Sequence, residues 1–289
     1  AECRRCDARM TLHQGDRELR CHHCGSQRPI DSQCPGCGGA ELRPLGQGTE
    51  RVAEVLATQF PGVECLRIDR DTTRRKGALA SHLARAESGQ ARILLGTQML
   101  AKGHHFPGVT LAAILNVDQG LFGTDFRSSE RMAQLIVQVA GRAGRQDLPG
   151  EVVIQTHHPD HPLLLQLIRE GYPAFARAAL AERHAAGLPP ASHVALLRAE
   201  AASQPVPLAF LEEVRGLIEG LDGRQVEIWG PVPASMERRA GRFRAQLMLQ
   251  SDNRGHLQQV LARLVRQLEG AKSARQVRWS VDVDPVDTF

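Results

Sequence analysis

From about residue 46 onward, short apolar runs alternate with amphipathic stretches. The runs are 64–68, 91–95, 111–117 and 152–155, and the stretches between them include 51–60, 76–87 and 128–140. Continuous apolar strands separated by helix-period segments predict a parallel sheet covered by helices on both faces. A further helical stretch over 163–186 stops at Gly187, with Pro189 and Pro190 just beyond, which marks a domain boundary. The last hundred residues have a different rhythm. Strands are predicted at 193–199, 226–229, 243–250 and 277–283, and helices at 208–221 and 255–269, with an arginine-rich loop after the second strand. This βαββαβ order predicts a ferredoxin-like split βαβ domain.

The first 43 residues lack such periodicity and cannot bury much of a core alone. They hold six of the seven cysteines as Cys3-x-x-Cys6, Cys21-x-x-Cys24 and Cys34-x-x-Cys37, with fourteen and nine residues between pairs. A two-residue gap lets both sulfurs of a knuckle reach one ion at about 2.3 Å, and two knuckles close a tetrahedral site. The alternative, a disulfide framework, needs an oxidising compartment, and no charged-then-apolar leader is present to direct export. Six thiolates fill one site and leave two over. Either His13, His22 or His23 completes a second site, or a further pair precedes Ala1. The non-Met start beside a cysteine motif reads as a piece of a longer chain. The remaining composition changes little: a net charge of +4 permits an acidic partner without demanding one, and no run of about 18 apolar residues spans a membrane.

Two segments carry sharper chemistry. Residues 91–107, Ala-Arg-Ile-Leu-Leu-Gly-Thr-Gln-Met-Leu-Ala-Lys-Gly-His-His-Phe-Pro, form a strand running into a polar, glycine-bearing loop. Residues 138–145, Gln-Val-Ala-Gly-Arg-Ala-Gly-Arg, place Arg142 and Arg145 three apart, so that a helical turn would point both the same way. Arginine clamps phosphate oxygens in a fork, and small neighbours let the backbone come close. A third segment, 237–244, sets Arg238, Arg239, Arg242 and Arg244 around Phe243. Such a loop and strand start can track phosphates and stack a base, or can simply be a solvated hairpin rim. Lys102, Arg74, Arg75 and Lys76 are weaker candidates, Cys65 reads as a core residue, and His157, His158 and His161 read as helix-start polar groups rather than as a metal cluster. Asp118, after the run 111–117, reads as an ordinary strand-end carboxylate.

Taken together, segments 91–107 and 138–145 resemble motifs V and VI of superfamily 2 helicases. The whole chain resembles the C-terminal half of the PriA (primosomal protein N′) family of replication-restart helicases. The resemblance runs through Gly46-Gln-Gly-Thr-Glu50, Ile68-Asp-Arg-Asp-Thr-Thr-Arg-Arg-Lys-Gly77, Gln155-Thr-His-His-Pro159, Leu188-Pro-Pro190 and Val281-Asp-Val-Asp-Pro285. It implies a zinc-ribbon insertion at 1–43, a second RecA-like helicase lobe at 44–188 and a ferredoxin-like, ribosomal-S-ten-like domain at 189–289. It also implies two nested zinc sites from eight cysteines in the intact protein. Cys3, Cys6, Cys21 and Cys24 would form the complete site here, and Cys34 and Cys37 would pair with cysteines upstream. The lobe's first strand would likewise precede the insertion.

The same resemblance assigns roles by position. Arg142 and Arg145, with Gln138 opening their motif, would act on the nucleotide phosphates, and Gly103 and Gly141 would lie against the nucleotide. Thr97, Gln98 and Lys102 would follow the DNA backbone. His105 stands where many relatives carry a ribose-binding Asp. No Gly-x-x-x-x-Gly-Lys-Ser/Thr string is present, so the chain supplies half of an ATP site. The expectation is therefore a cytoplasmic, monomeric ATP/Mg²⁺-dependent DNA helicase of 3′–5′ polarity. It would bind forked and single-stranded DNA, primosome proteins and single-strand-binding protein, with no membrane contact, and this piece alone would be inactive. The competing expectation is a non-enzymatic zinc-ribbon nucleic-acid binder with a degenerate motor lobe.

Overall fold

The computed structural model describes residues 1–13, 18–34, 36–40, 48–69, 71–73, 75–101, 106, 108–144, 149–221 and 226–288. Two compact units emerge: 43–179, and a second made of 1–42 together with 180–289. The chain begins with a three-stranded antiparallel sheet of β1 (Thr11–His13), β2 (Glu18–Arg20) and β3 (Gln27–Pro29). Its few buried residues are Cys3, Cys6, Ala8, Leu19 and Cys21, so the cysteines themselves are the centre of this layer.

The 43–179 unit follows in the order α1 (Thr49–Gln59), β4 (Cys65–Ile68), α2 (Ala78–Glu87), β5 (Ile93–Gly96), α3 (Gln98–Ala101), β6 (Leu111–Ile114), α4 (Asp118–Leu121), α5 (Ser128–Ala140), β7 (Glu151–Ile154), α6 (Pro162–Glu170) and α7 (Tyr172–Ala185), the last reaching past residue 179. The strands are parallel, as the pattern predicts. They pair among the described residues as β4–β5 and β6–β7 rather than as one continuous sheet. Among the described residues neither pair gains a third strand, and the burial of the strands alternates or stays partial. Leu111 and Val153 remain 58% and 47% exposed, where a central strand would be covered on both faces. In α5 the buried Met132, Ala133 and Ile136 fall on one face and pack with Leu164, Leu167 and Phe175.

The single helix expected over 163–186 is two helices. Gly171, at φ 82° and ψ 176°, occupies a conformation open to glycine alone, and Pro173 has no N–H for the helix ladder, so the chain breaks between α6 and α7.

The C-terminal part reads β8 (His193–Ala201), α8 (Pro205–Gly220), β9 (Glu227–Arg239), β10 (Arg242–Ser251), α9 (Arg254–Gly270) and β11 (Arg278–Val283). Its sheet is antiparallel in the order β11–β8–β10–β9, the ferredoxin-like arrangement. The two helices cover one face. Phe210, Leu211, Val214 and Ile218 of α8 and Leu257, Val260, Leu261, Leu264 and Leu268 of α9 meet Ala195, Leu197, Ala199, Leu247 and Leu249 in the largest core of the molecule. Asn253 caps α9 by accepting from the His256 N–H at 3.0 Å. The expected arginine-rich loop is instead the long β9–β10 hairpin. Pro231 and Pro233 are tolerated in β9 because it is an edge strand. Among the described residues no helix is long and apolar enough to cross a membrane.

Candidate functional site

Three cysteine knuckles share one kind of backbone bond, and two of them share a second. The first cysteine N–H donates to the carbonyl five residues on in Cys3→Ala8, Cys21→Ser26 and Cys34→Gly39, at 2.9, 2.8 and 2.8 Å. Gly25 and Gly38 donate back to the carbonyls of Cys21 and Cys34, and their positive φ (74° and 72°) is what turns the chain there. The sulfurs of Cys3, Cys6, Cys21 and Cys24 converge, all within 4.8 Å of one another. Cys3 and Cys24 lie 3.7 Å apart. That is far beyond a disulfide bond but close to the roughly 3.8 Å edge of a tetrahedron with metal–sulfur bonds of about 2.3 Å. None of the seven cysteines forms a disulfide. Burial, opposed by the Ala240 amide, pushes the Cys6 thiol up to about 12. Four convergent sulfurs at this spacing fit a zinc ion. Cys34 and Cys37 form a preformed knuckle outside this group. The Gly36 and Cys37 N–H groups lower the Cys34 thiol below its usual range. His22 and His23 are exposed, and the His13 side chain lies outside the described residues.

The tetrad sits against the β9–β10 hairpin. Arg238 N–H donates to Asp7 Oδ2 at 2.6 Å, and Asp7 N–H donates to the Arg238 carbonyl at 2.9 Å. The Arg238 guanidinium lies 3.5 Å from Asp7 Oδ1. Arg238 is thus engaged with the ribbon. Arg239, Arg242 and Arg244 line a cleft of about 470 Å³ with Arg198, Glu200 and Arg278. Alternation explains the grouping. Ala199 and Ala201 of β8 and Ala245 of β10 face the helices, so Arg198, Glu200, Arg242 and Arg244 point to the helix-free face, where β11 adds Arg278. Phe243 pairs with Ala201 and so shares the helix-covered side. Glu200 pairs with Arg242 at 3.0 Å and Arg278 at 3.6 Å. Arg198 is held by Asp282 at 2.7 Å. Arg239 and Arg244 make no ion pair among the described residues. Burial, then repulsion from Arg239, lowers the Arg244 guanidinium, and Glu200 opposes this. Five guanidinium groups around one carboxylate form an electropositive cleft suited to phosphates.

In the other unit, β5 ends at Gly96 and leads to exposed Thr97 and Gln98. A Cβ on Gly96 would stand 2.6 Å from the Ile68 carbonyl, so only glycine lets the strand pair this closely before the turn. α5 ends at Ala140, two residues before Arg142. Arg142 therefore lies in a turn beyond the helix, its N–H donating to the Val139 carbonyl at 2.9 Å. Its Nη2 donates to the Ala101 carbonyl at 3.4 Å, joining the two motif segments. Gln138 is half-buried on α5 and Gly141 is exposed. Arg145, Lys102, Gly103, His105 and Arg74 lie outside the described residues. Gly144, at φ 72°, packs on Gly150 so closely that a Cβ would come within 2.3 Å of its nitrogen.

Asp118 accepts from the Thr156 hydroxyl and from the His157 N–H, the latter at 3.0 Å, so it staples the β6 and β7 ends. His158 and His161 stand edge-on to Phe122, with centroids 4.7 and 5.7 Å away. Asp69 is 6% exposed. It accepts from the Thr72 and Asp71 N–H groups at 3.0 Å each, from the Thr49 hydroxyl at 2.8 Å and from Arg67 at 3.0 Å. Burial raises its pKa, but these donors together hold it below the usual carboxylate range. Sequence reasoning missed Arg198, Glu200 and Arg278. The signal was present as Arg198 and Glu200 alternating with Ala199 and Ala201 at the end of β8, and as Arg278 opening β11.

Family models match three stretches: the PriA DNA helicase Cys-rich region domain over 3–29, the helicase conserved C-terminal domain over 45–147 and the primosomal protein N C-terminal domain over 184–286. Among curated relatives, the replication restart protein PriA of Haemophilus influenzae is 48% identical over 287 residues, covering 99% of this chain and 39% of its own length. The Bacillus subtilis protein of the same name is 35% identical over 284 residues, covering 98% and 35%. That of Synechocystis is 36% identical over 291 residues, covering 99% and 34%. The chain thus spans little more than a third of the length of these relatives. With all three domain types in order along it, the chain belongs to the PriA replication-restart family, of which it represents a zinc-ribbon, helicase-lobe and C-terminal-domain segment.

Proposed function

We propose that the chain is the C-terminal portion of an ATP-dependent DNA helicase. The intact protein recognises stalled forks, moves 3′ to 5′ and initiates primosome assembly, acting as a cytoplasmic monomer with primosome proteins and single-strand-binding protein as partners. Its functional segments are 1–43, 44–188 and 189–289. The observation that carries the reading is the Arg142–Ala101 bond. It holds Arg142 against the end of α3, the short helix that follows β5 at the carboxyl end of a parallel strand, where α/β sheets bind nucleotides.

In this reading Arg142 and Arg145 stabilise negative charge on the transferring phosphoryl group, while Gln138, Gly103 and Gly141 line the nucleotide. Thr97, Gln98 and Lys102 follow the DNA backbone. Arg239, Arg242 and Arg244, with Arg198 and Arg278, hold phosphates on the helix-free face of the C-terminal sheet, and Arg238 fixes the hairpin to the ribbon. Cys3, Cys6, Cys21 and Cys24 would hold one zinc ion, which supplies a closed structural cross-link and no open coordination position. Cys34 and Cys37 would hold a second ion together with a further pair. The test compares ATP turnover by this chain and by the intact protein with forked DNA. The chain is expected to be silent, and the intact protein to hydrolyse ATP and unwind the fork. An intact protein that binds forks but neither hydrolyses ATP nor unwinds them overturns the helicase reading.

A further inference from the structure

The tip of the β9–β10 hairpin is a two-residue turn in which Ala240 and Gly241 both have positive φ, 53° and 82°. Glycine takes this conformation freely, whereas alanine is strained in it. The turn aims two successive N–H groups at the first cysteine knuckle. Ala240 N–H donates to Cys6 Sγ at 3.1 Å, and Gly241 N–H donates to the Arg5 carbonyl at 2.8 Å. The first of these N–H groups reaches the sulfur itself, where a donor stabilises thiolate charge, and the second ties the turn to the knuckle backbone. The knuckle answers from its own side. Arg5 Nη2 donates to the Ala240 carbonyl at 3.2 Å, and Asp7 clamps Arg238 through both backbone and side chain. Met236 of β9 packs on the cysteine cluster.

We propose that this hairpin tip is the outer shell of the ribbon's metal site, so that metal loading of Cys3, Cys6, Cys21 and Cys24 and the order of the arginine hairpin form one linked equilibrium. The proposal rests on the zinc reading above. A metal-bound thiolate accepts the Ala240 N–H as a charge-assisted hydrogen bond. The tetrad in turn fixes the Arg5–Asp7 segment that grips the turn. Loss of the metal therefore loosens the strand ends that carry Arg239, Arg242 and Arg244, although those residues are more than 200 positions away in sequence.

The experiment follows zinc transfer from the 289-residue chain to a chromogenic chelator, alongside hydrogen exchange of the hairpin amides. Asp7→Ala cuts the clamp and leaves all four thiols. Ala240→Pro deletes the donor N–H. Each is expected to speed zinc release about 10-fold or more, the usual effect of losing an outer-shell partner. Ala240→Gly keeps the N–H and relieves the positive φ, so it should release zinc no faster than the parent. Stripping zinc should raise exchange at the Ala240 and Gly241 amides about 10-fold or more and leave those of α9 unchanged. Unaltered release from folded Asp7→Ala overturns the linkage whether or not Ala240→Pro folds. So does equal hairpin protection with and without zinc. A chain purified without zinc and unable to take it up overturns the zinc reading itself and the linkage with it.

Discussion

Glu200→Gln should strengthen binding of single-stranded DNA to the C-terminal domain. Glu200 is the acid lining the arginine cleft among the described residues, pairing with Arg242 at 3.0 Å and Arg278 at 3.6 Å, with side-chain exposures of 32%, 30% and 75% in that order. A phosphate seated among the arginines would lie about 6–7 Å from its carboxylate, where unit charges at near-aqueous screening repel by roughly 0.5–1 kcal/mol. Removing that repulsion predicts a two- to fivefold gain in affinity at low salt, by about 1.4 kcal/mol per tenfold. The change also releases Arg242 and Arg278 for phosphates, so the salt slope should steepen by about 0.7 for each new contact. The lost ion pairs are partly solvated and should cost less than about 1 kcal/mol of stability, so the variant stays folded. The assay is a fluorescence-anisotropy titration of labelled oligo-dT across a salt series, with Arg244→Ala expected to move affinity and slope the opposite way. Weaker binding by Glu200→Gln, or a slope unchanged in both variants, would refute the phosphate assignment.

Metal analysis of this chain should find close to one tightly held zinc. Cys21→Ser should abolish it and Cys34→Ser should not, and two fully retained zinc ions would contradict the single complete tetrad. Asp69→Ala should cost the 43–179 unit about 1–3 kcal/mol by urea titration, because it removes the buried acceptor shared by the half-buried Thr49 and Arg67 and by the Asp71 and Thr72 N–H groups. Since the folded pKa of Asp69 is depressed, its stabilisation is present above the unfolded value of about 3.9 and is lost as pH falls through the folded value. The stability gap between parent and Asp69→Asn should therefore hold from neutrality to about pH 5 and close only under stronger acid, whereas a gap that closes near neutrality would contradict the assigned direction.

The local patterns that sequence carries well are those the structure reproduces closely. The apolar period of residues 128–140 is α5 to the residue, and the βαββαβ rhythm is the C-terminal sheet. The cysteine spacing foretold four converging sulfurs because a two-residue knuckle is a local geometry. The failures are of another kind. Gly171 and Pro173 broke a helix whose apolar period runs on without interruption, and period alone does not register one glycine-only conformation. The arginines of 237–244 looked like loop residues because charge masks strand alternation, yet they extend a strand to a two-residue turn. The docking of Asp7 on Arg238, and the gathering of Arg198 and Arg278 beside Arg244, join positions far apart in the chain, and no window of sequence contains them.

The most direct test of the central claim is the intact protein carrying Arg142→Ala or Arg145→Ala, with DNA-stimulated ATP turnover and DNA affinity measured on the same preparations. Arginines that stabilise a transferring phosphoryl group are worth about 10³–10⁵ in rate, and lysine keeps the charge but not the fork. Turnover should fall about a thousandfold or more, lysine should rescue it poorly, and DNA affinity should stay within about twofold of the parent. Near-normal turnover in both alanine variants would contradict the role given to these arginines and leave a nucleic-acid-binding module in place of a motor.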